Sequence, residues 1–240
     1  MVKLALLALI LAASDGFSYN DCLKKVDRHP DDALEMAMNA LGDGDDAGAE
    51  HCAALALVGL KQFGEAARRL DKLARKSSAG GAETRAQLLD QAGNAWILAG
   101  QPELATASFT AALALMPGDA EYLIDRARAS AAQKKWTAAE ADLSAALVEE
   151  PGNAQALILR SSARRAQKNL QGAMGDITQA LILDPENVEA MAERGLLRAA
   201  QGDKAGARKD FLAVLERAPD GEAAKSARIE IEKLEMKKTR

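Results

Sequence analysis

The chain has 240 residues, of which 48% are apolar, 28% charged and 3% aromatic, enough for one or two domains with cores and unlike a disordered or multi-span membrane protein. Few aromatics, six prolines and abundant Ala and Leu point to helix and away from sheet. A net charge of −4 and a pI near 5.4 offer no basic surface to nucleic acid or anionic lipid.

Residues 1–14 read as a secretory signal peptide. Met1, Val2 and Lys3 give a cationic start, residues 4–13 are unbroken apolar sequence, and Ala12 and Ser14 are the small residues a cleavage site needs. As a helix the apolar run would span about 15 Å against a bilayer core of roughly 30 Å, so an uncleaved anchor is the second reading and the one route to a membrane. Cys22 lies too far downstream to accept a lipid. The mature chain is therefore expected in an oxidising space, for which a bacterial periplasm is the natural fit.

Beyond that segment, Pro30 and Ala33 with Ala37 and Leu41, then Phe63 and Ala66 with Leu70 and Ala74, show helical spacing of apolar positions. Residues 76–81, Lys-Ser-Ser-Ala-Gly-Gly, are the one linker-like stretch. From there the punctuation becomes regular, with Pro117, Pro151, Pro185 and Pro219 each 34 residues apart. Each follows an Ala/Leu-rich run and stops one helix shortly before the next begins. A fixed period of this size with two helices per unit signals a helical solenoid.

The residues inside each period resemble the tetratricopeptide repeat family. With the proline counted as position 32, the third unit has Gly93 at position 8, Trp96 at 11, Gly100 at 15, Ala105 at 20, Phe109 at 24 and Ala112 at 27. Later units keep Ala139, Ala173 and Ala207 at position 20 and Leu143, Ile177 and Phe211 at position 24. Pro30 and Pro102 fall at position 17, the first turn of a second helix, where a missing N–H costs little. The resemblance implies an all-α fold, a right-handed α-solenoid of stacked helix-turn-helix repeats. The repeats are expected at 14–46, 47–85, 86–119, 120–153, 154–187 and 188–221, in one continuous stack with no domain break. Residues 222–240 then form an amphipathic capping helix, with Ala223, Ala227, Ile231 and Leu234 on its apolar side. Phe63, Trp96, Phe109, Trp136 and Phe211 all occupy knob positions and are expected in the core rather than in base stacking.

Arg126, Arg160 and Arg194 stand at position 7 of three successive units, and Asp142, Asp176 and Asp210 follow sixteen residues after each. The third unit has Ala92 and Ser108 instead and lacks both charges together. Joint presence and joint absence favour an Arg–carboxylate fork between the two helices of a unit over a basic ladder for an acidic ligand.

Cys22 and Cys52 are the two cysteines, placed by the repeat numbering on adjacent first helices facing the same inner groove. A disulfide is the default in an exported chain. Free thiols, intermolecular pairing and a metal site with His29 and His51 are the alternatives, the last weakened because neighbours His51 and Cys52 diverge by about 100° on a helix. Residues 42–46, Gly-Asp-Gly-Asp-Asp, follow no strand and break the spacing of a calcium loop, so they read as an inter-unit turn. No cofactor, metal or small-molecule substrate is called for, and no residue pattern supports catalysis.

Repeat proteins of this family hold extended or helical peptides on a concave face lined by the first helices. In this chain that resemblance assigns the groove to Asp90, Asn94, Ile97, Glu121, Ile124, Asp125, Arg128, Ile158, Ser162, Arg165 and Glu193. Members that grip a carboxylate use Lys, Asn and Arg at positions where this chain has Asp90, Asp125, Leu159 and Gln155; Asn94 alone agrees. A peptide with apolar anchors and some basic residues fits better. The expected function is thus a non-enzymatic periplasmic interaction scaffold, with a chaperone-like adaptor in envelope or cytochrome c assembly as the alternative.

Overall fold

The computed structural model describes residues 17–42 and 46–236. The expected signal peptide lies outside them, as do residues 43–45 of the expected turn and the end of the capping segment. Among the described residues all regular structure is helical, and the chain divides into two compact units, Met1–Gln133 and Lys134–Arg240. The division falls inside the fourth predicted repeat, 120–153, after that repeat's first helix.

The first unit contains α1 (Tyr19–Val26), α2 (Pro30–Gly42), α3 (Ala47–Gly59), α4 (Phe63–Ala74), a 3₁₀ turn (Ser77–Ala79), α5 (Ala82–Leu98), α6 (Pro102–Leu115) and α7 (Ala120–Ala132). Each helix packs on the next in sequence. The second unit contains α8 (Trp136–Glu149), α9 (Ala154–Ala166), α10 (Leu170–Leu183), α11 (Val188–Ala200), α12 (Lys204–Arg217) and α13 (Glu222–Met236), also packed consecutively. The last of these rests on α11 and α12, burying Ala224 and Ala227 beside Phe211 and Val214, as a cap should.

The proline motif both ends and starts helices. Two residues after each Pro117, Pro151 and Pro185 stands Asp119, Asn153 or Asn187, whose side chain accepts from the first-turn amides of α7, α9 and α11. Between the helices of a pair the backbone turns through one left-handed residue, at Gly100, Lys134, Lys168 and Gly202, again 34 apart. Small residues at position 20 let paired helices close up: Ala105 in the first unit and Ala139, Ala173 and Ala207 in the second are fully buried. Gly93 and Gly195 are required by Phe109 and Phe211, because a Cβ on either glycine would lie 2.5–2.6 Å from the ring.

Two expectations change. Helix α5 begins at Ala82, four residues before the predicted boundary at 86, since Ala82, Glu83 and Arg85 are able helix formers once Gly81 has opened the turn. Arg85 then donates to the carbonyl of Ala74 at 2.7 Å and closes the end of α4. Of the five aromatics expected in the core, Trp96, Phe109 and Phe211 are buried, whereas Phe63 and Trp136 are half-buried. Those two open their helices, where less of the neighbouring pair covers them.

Candidate functional site

In the first unit, α1 packs on α3 and α5 packs on α7, first helix against first helix. Between α3 and α5, the pair separated by the 76–81 insertion, the helices part around a cavity of about 650 Å³. Val26, Leu55, Val58, Leu70, Ala95 and Leu98 give it apolar walls; Asp90, Asn94, Glu121, Asp125 and Arg128 give it a polar side. Leu98 is 47% exposed at the mouth.

The polar side is knit by Asn94. Its amide donates to Asp125 Oδ2 at 3.0 Å and to Asp90 Oδ2 at 3.2 Å, and Arg128 pairs with Asp125 from one turn along α7. Asp90 Oδ1 is buried with no partner. Burial, followed by the charges of Asp125 and Glu121, pushes the Asp90 carboxyl up to about 8. The site thus sets three acidic side chains, Asp90 among them protonated below about pH 8, against one guanidinium.

Of the predicted groove residues in this unit, Asp90, Asn94, Glu121, Asp125 and Arg128 line the cavity, while Ile97 and Ile124 do not. Ile124 is buried at 6% exposure and Ile97 packs against the core of α3 to α6, which corrects their placement on an open face. The apolar wall from α1 and α3 is not marked by the repeat pattern, which is regular only from the third repeat onward. In the second unit, Ile158 and Glu193 are also buried. Arg165 forks onto Glu193 at 2.7 and 3.0 Å, with Ser162 beside it. Burial still holds the Glu193 carboxyl above its ordinary value. The first helices α9 and α11 are in direct contact, and Arg165 and Glu193, both expected to line a groove, close on one another as an ion pair.

The Arg–Asp ties are richer than the spacing indicated. Arg160 forks onto Asp176 at 2.8 and 3.1 Å, and Arg194 onto Asp210 at the same distances. A second arginine, Arg164 or Arg198, reaches the same carboxylate at 2.8 Å from one turn further on. Arg164 and Arg198 are themselves 34 apart, the signal that would have found them. Arg126 belongs to the first unit and Asp142 to the second, so that pair stays an expectation; within its own unit Arg126 donates to Thr110 at 3.4 Å. In the third repeat, Trp96 Nε1 and Ser108 Oγ donate to Asp71 of α4 at 2.8 and 2.9 Å, a tie of another kind.

Cys22 and Cys52 form a disulfide joining α1 to α3, with Cα atoms 6.3 Å apart. Both are fully buried, in the core that α1, α2 and α3 share, and not exposed on a groove as the repeat numbering had them. Nearby, the Tyr19 hydroxyl donates to His51 Nδ1 at 2.5 Å and His51 Nε2 donates to Gln91 at 2.7 Å. Burial pushes Tyr19 up to about 12 and His51 down, so both stay neutral in this chain of bonds.

Residues 159–232 match the tetratricopeptide repeat family model. No curated protein matches the chain. Among solved structures, MamA from Desulfovibrio magneticus RS-1, residue 41 to its end, is similar with a TM-score of 0.63 and 22% identity over 75% of this chain and 98% of that one. Another MamA crystal structure gives 0.60 at 18% identity, over 71% and 91%. YrrB, a tetratricopeptide-repeat protein with an unusual peptide-binding site, gives 0.57 at 17% identity, over 82% and 97%. At these identities the likeness is one of fold. With a repeat model matched from α9 into α13 and the same helix-pair fold in these neighbours, the chain has the tetratricopeptide-repeat fold.

Proposed function

We propose that the protein is a non-enzymatic interaction scaffold that holds a segment of another polypeptide in the first unit, working in an oxidising compartment reached by export and, in bacteria, in the periplasm. The cavity between α3 and α5 carries this reading. It has the size of a binding cleft and apolar walls beside one polar side, and most of its lining comes from first helices, the ones that repeat arrays turn to partners. The buried disulfide supports the compartment, since such a bond persists where thiols are not kept reduced.

Selection of a random peptide library on the full chain tests the reading. Peptides held by the wild type are expected to be lost when Leu98→Trp plugs the cavity mouth, and to survive a substitution on the outer surface of α13 such as Lys225→Ala. Peptides indifferent to the plug would refute the site. Capture of many unfolded chains in place of a defined segment would favour the adaptor reading. Export is checked by the mass of the protein recovered from the periplasm, which should begin near residue 15.

A further inference from the structure

We propose that the first-unit cavity selects a lysine or arginine side chain of the bound segment, seating the cation against Asp90 and the aliphatic stem along Leu55, Val58 and Leu98. The proposal rests on the scaffold reading and adds the chemistry of the residue recognised.

The geometry supplies what such a side chain needs. A long cationic residue buries its methylenes and keeps its charge at a polar end, which matches a cleft with apolar walls and an acidic side. While it is protonated, the Asp90 carboxyl is hydrogen-bonded to Asp125; once ionised, it has a buried oxygen, Oδ1, that accepts no hydrogen bond, so a donor replacing that proton is wanted there. The neighbours cannot supply one. Asn94 already bridges Asp90 Oδ2 and Asp125 Oδ2, and Arg128 is engaged by Asp125. From α7, Glu121 and Asp125 add negative charge and Tyr122 a neutral phenol; Asp27 stands after α1; α3 and α4 contribute apolar residues to the wall. An ammonium or guanidinium entering here meets excess negative charge in a partly dehydrated cleft, where attraction exceeds that in water. An acidic segment would meet repulsion, which provides specificity against it.

Occupancy is linked to a proton. In the empty cavity Asp90 retains its proton up to about pH 8. A cation arriving in its charged form favours the carboxylate, and the proton of Asp90 leaves to solvent. Affinity for a basic segment therefore rises with pH, by at most about tenfold per unit, and levels off above about pH 8.

Library selection at pH 8, on the wild-type full chain and on its Asp90→Asn and Leu98→Trp variants, provides the peptides. Fluorescence anisotropy then compares each with its counterpart carrying Nε-acetyl-lysine or citrulline. Wild-type protein should enrich peptides with Lys or Arg beside an apolar residue and lose at least tenfold in affinity on neutralising that residue. Asp90→Asn, with melting behaviour confirming its fold, should lose both the discrimination and the pH dependence; Glu121→Gln should weaken them. Peptides that need the open cavity but carry no basic residue, or that tolerate its neutralisation, would overturn this inference and leave the scaffold reading standing. If no peptide responds to Leu98→Trp, both fall.

Discussion

At Gly93 a single hydrogen in place of a methyl group decides whether Phe109 can lie between the helices of its pair. Gly93→Ala would press a Cβ to 2.5 Å from the ring, and the overpacking should cost about 1–3 kcal/mol in urea denaturation. The fifth repeat has Ser161 at the same position and Ile177 in place of the phenylalanine. Pairing Gly93→Ala with Phe109→Ile should therefore recover much of the loss, a non-additivity that a double-mutant cycle would measure. Two buried ionisable residues should give opposite pH responses. His51 is held below its ordinary value, so the unfolded chain binds the proton better, and stability present above about pH 6.5 falls as pH drops through it. His51→Gln should flatten this limb in thermal melts. Asp90 is held above its ordinary value, so its penalty is absent below about pH 4, grows with pH and is complete above about 8. Asp90→Asn should raise the melting temperature at pH 8 and leave it unchanged at pH 4.

Individual helices depend on ties of very different kinds. At eight residues, α1 is too short to persist in water by propensity, and it holds its place through the disulfide, Val26 and the Tyr19–His51 bond. Closing a loop of 30 residues contributes about 3 kcal/mol, so Cys22→Ser with Cys52→Ser should lower stability by that order. The helices α9 and α10 are tied by a carboxylate that two arginines share. Asp176→Asn would leave Arg160 with Ser144 and Arg164 with Glu140 as remaining side-chain partners, and the loss of the shared carboxylate should cost about 1.5–3 kcal/mol. That cost and the gain expected from Asp90→Asn come from one rule, since a buried charge stabilises only where it is answered. The turn between α9 and α10 places Lys168 at φ 66°, where the equivalent residue of two other pairs is glycine. Lys168→Gly should thus be neutral or stabilising, by up to about 1 kcal/mol.

For the molecule as a whole, the division at Gln133 gives each unit its own core and its own chemistry. The disulfide, the buried histidine and the open acidic cavity all belong to the first. The regular repeats with closed Arg–Asp and Arg–Glu networks belong to the second. Reduction should consequently act on one unit alone. Hydrogen exchange in the presence of a reductant should accelerate in α1 to α4 and stay unchanged in α9 to α12, whereas uniform acceleration would show that the two unfold together.

The helix pairs, their period, the capping helix and the Arg160–Asp176 and Arg194–Asp210 ties were legible in the sequence, because each follows from short-range rules: a proline stop, an Asp or Asn cap, a small residue facing a large one, a charge sixteen residues from its partner. The open or closed state of the inner face was not. Ile124, Ile158 and Glu193 share the register of true groove residues, and only the approach of one first helix to the next buries them. Asp176 has an arginine sixteen residues before it and Asp90 has Ala74, but that spacing does not say that Asp90 would be held beside Asp125 and Glu121 at the side of a cavity; the packing of α5 against α7 does that. The cavity between α3 and α5 has the same origin, since the spacing of first helices from successive pairs is set by tertiary contacts and leaves no mark on the local pattern that forms each pair.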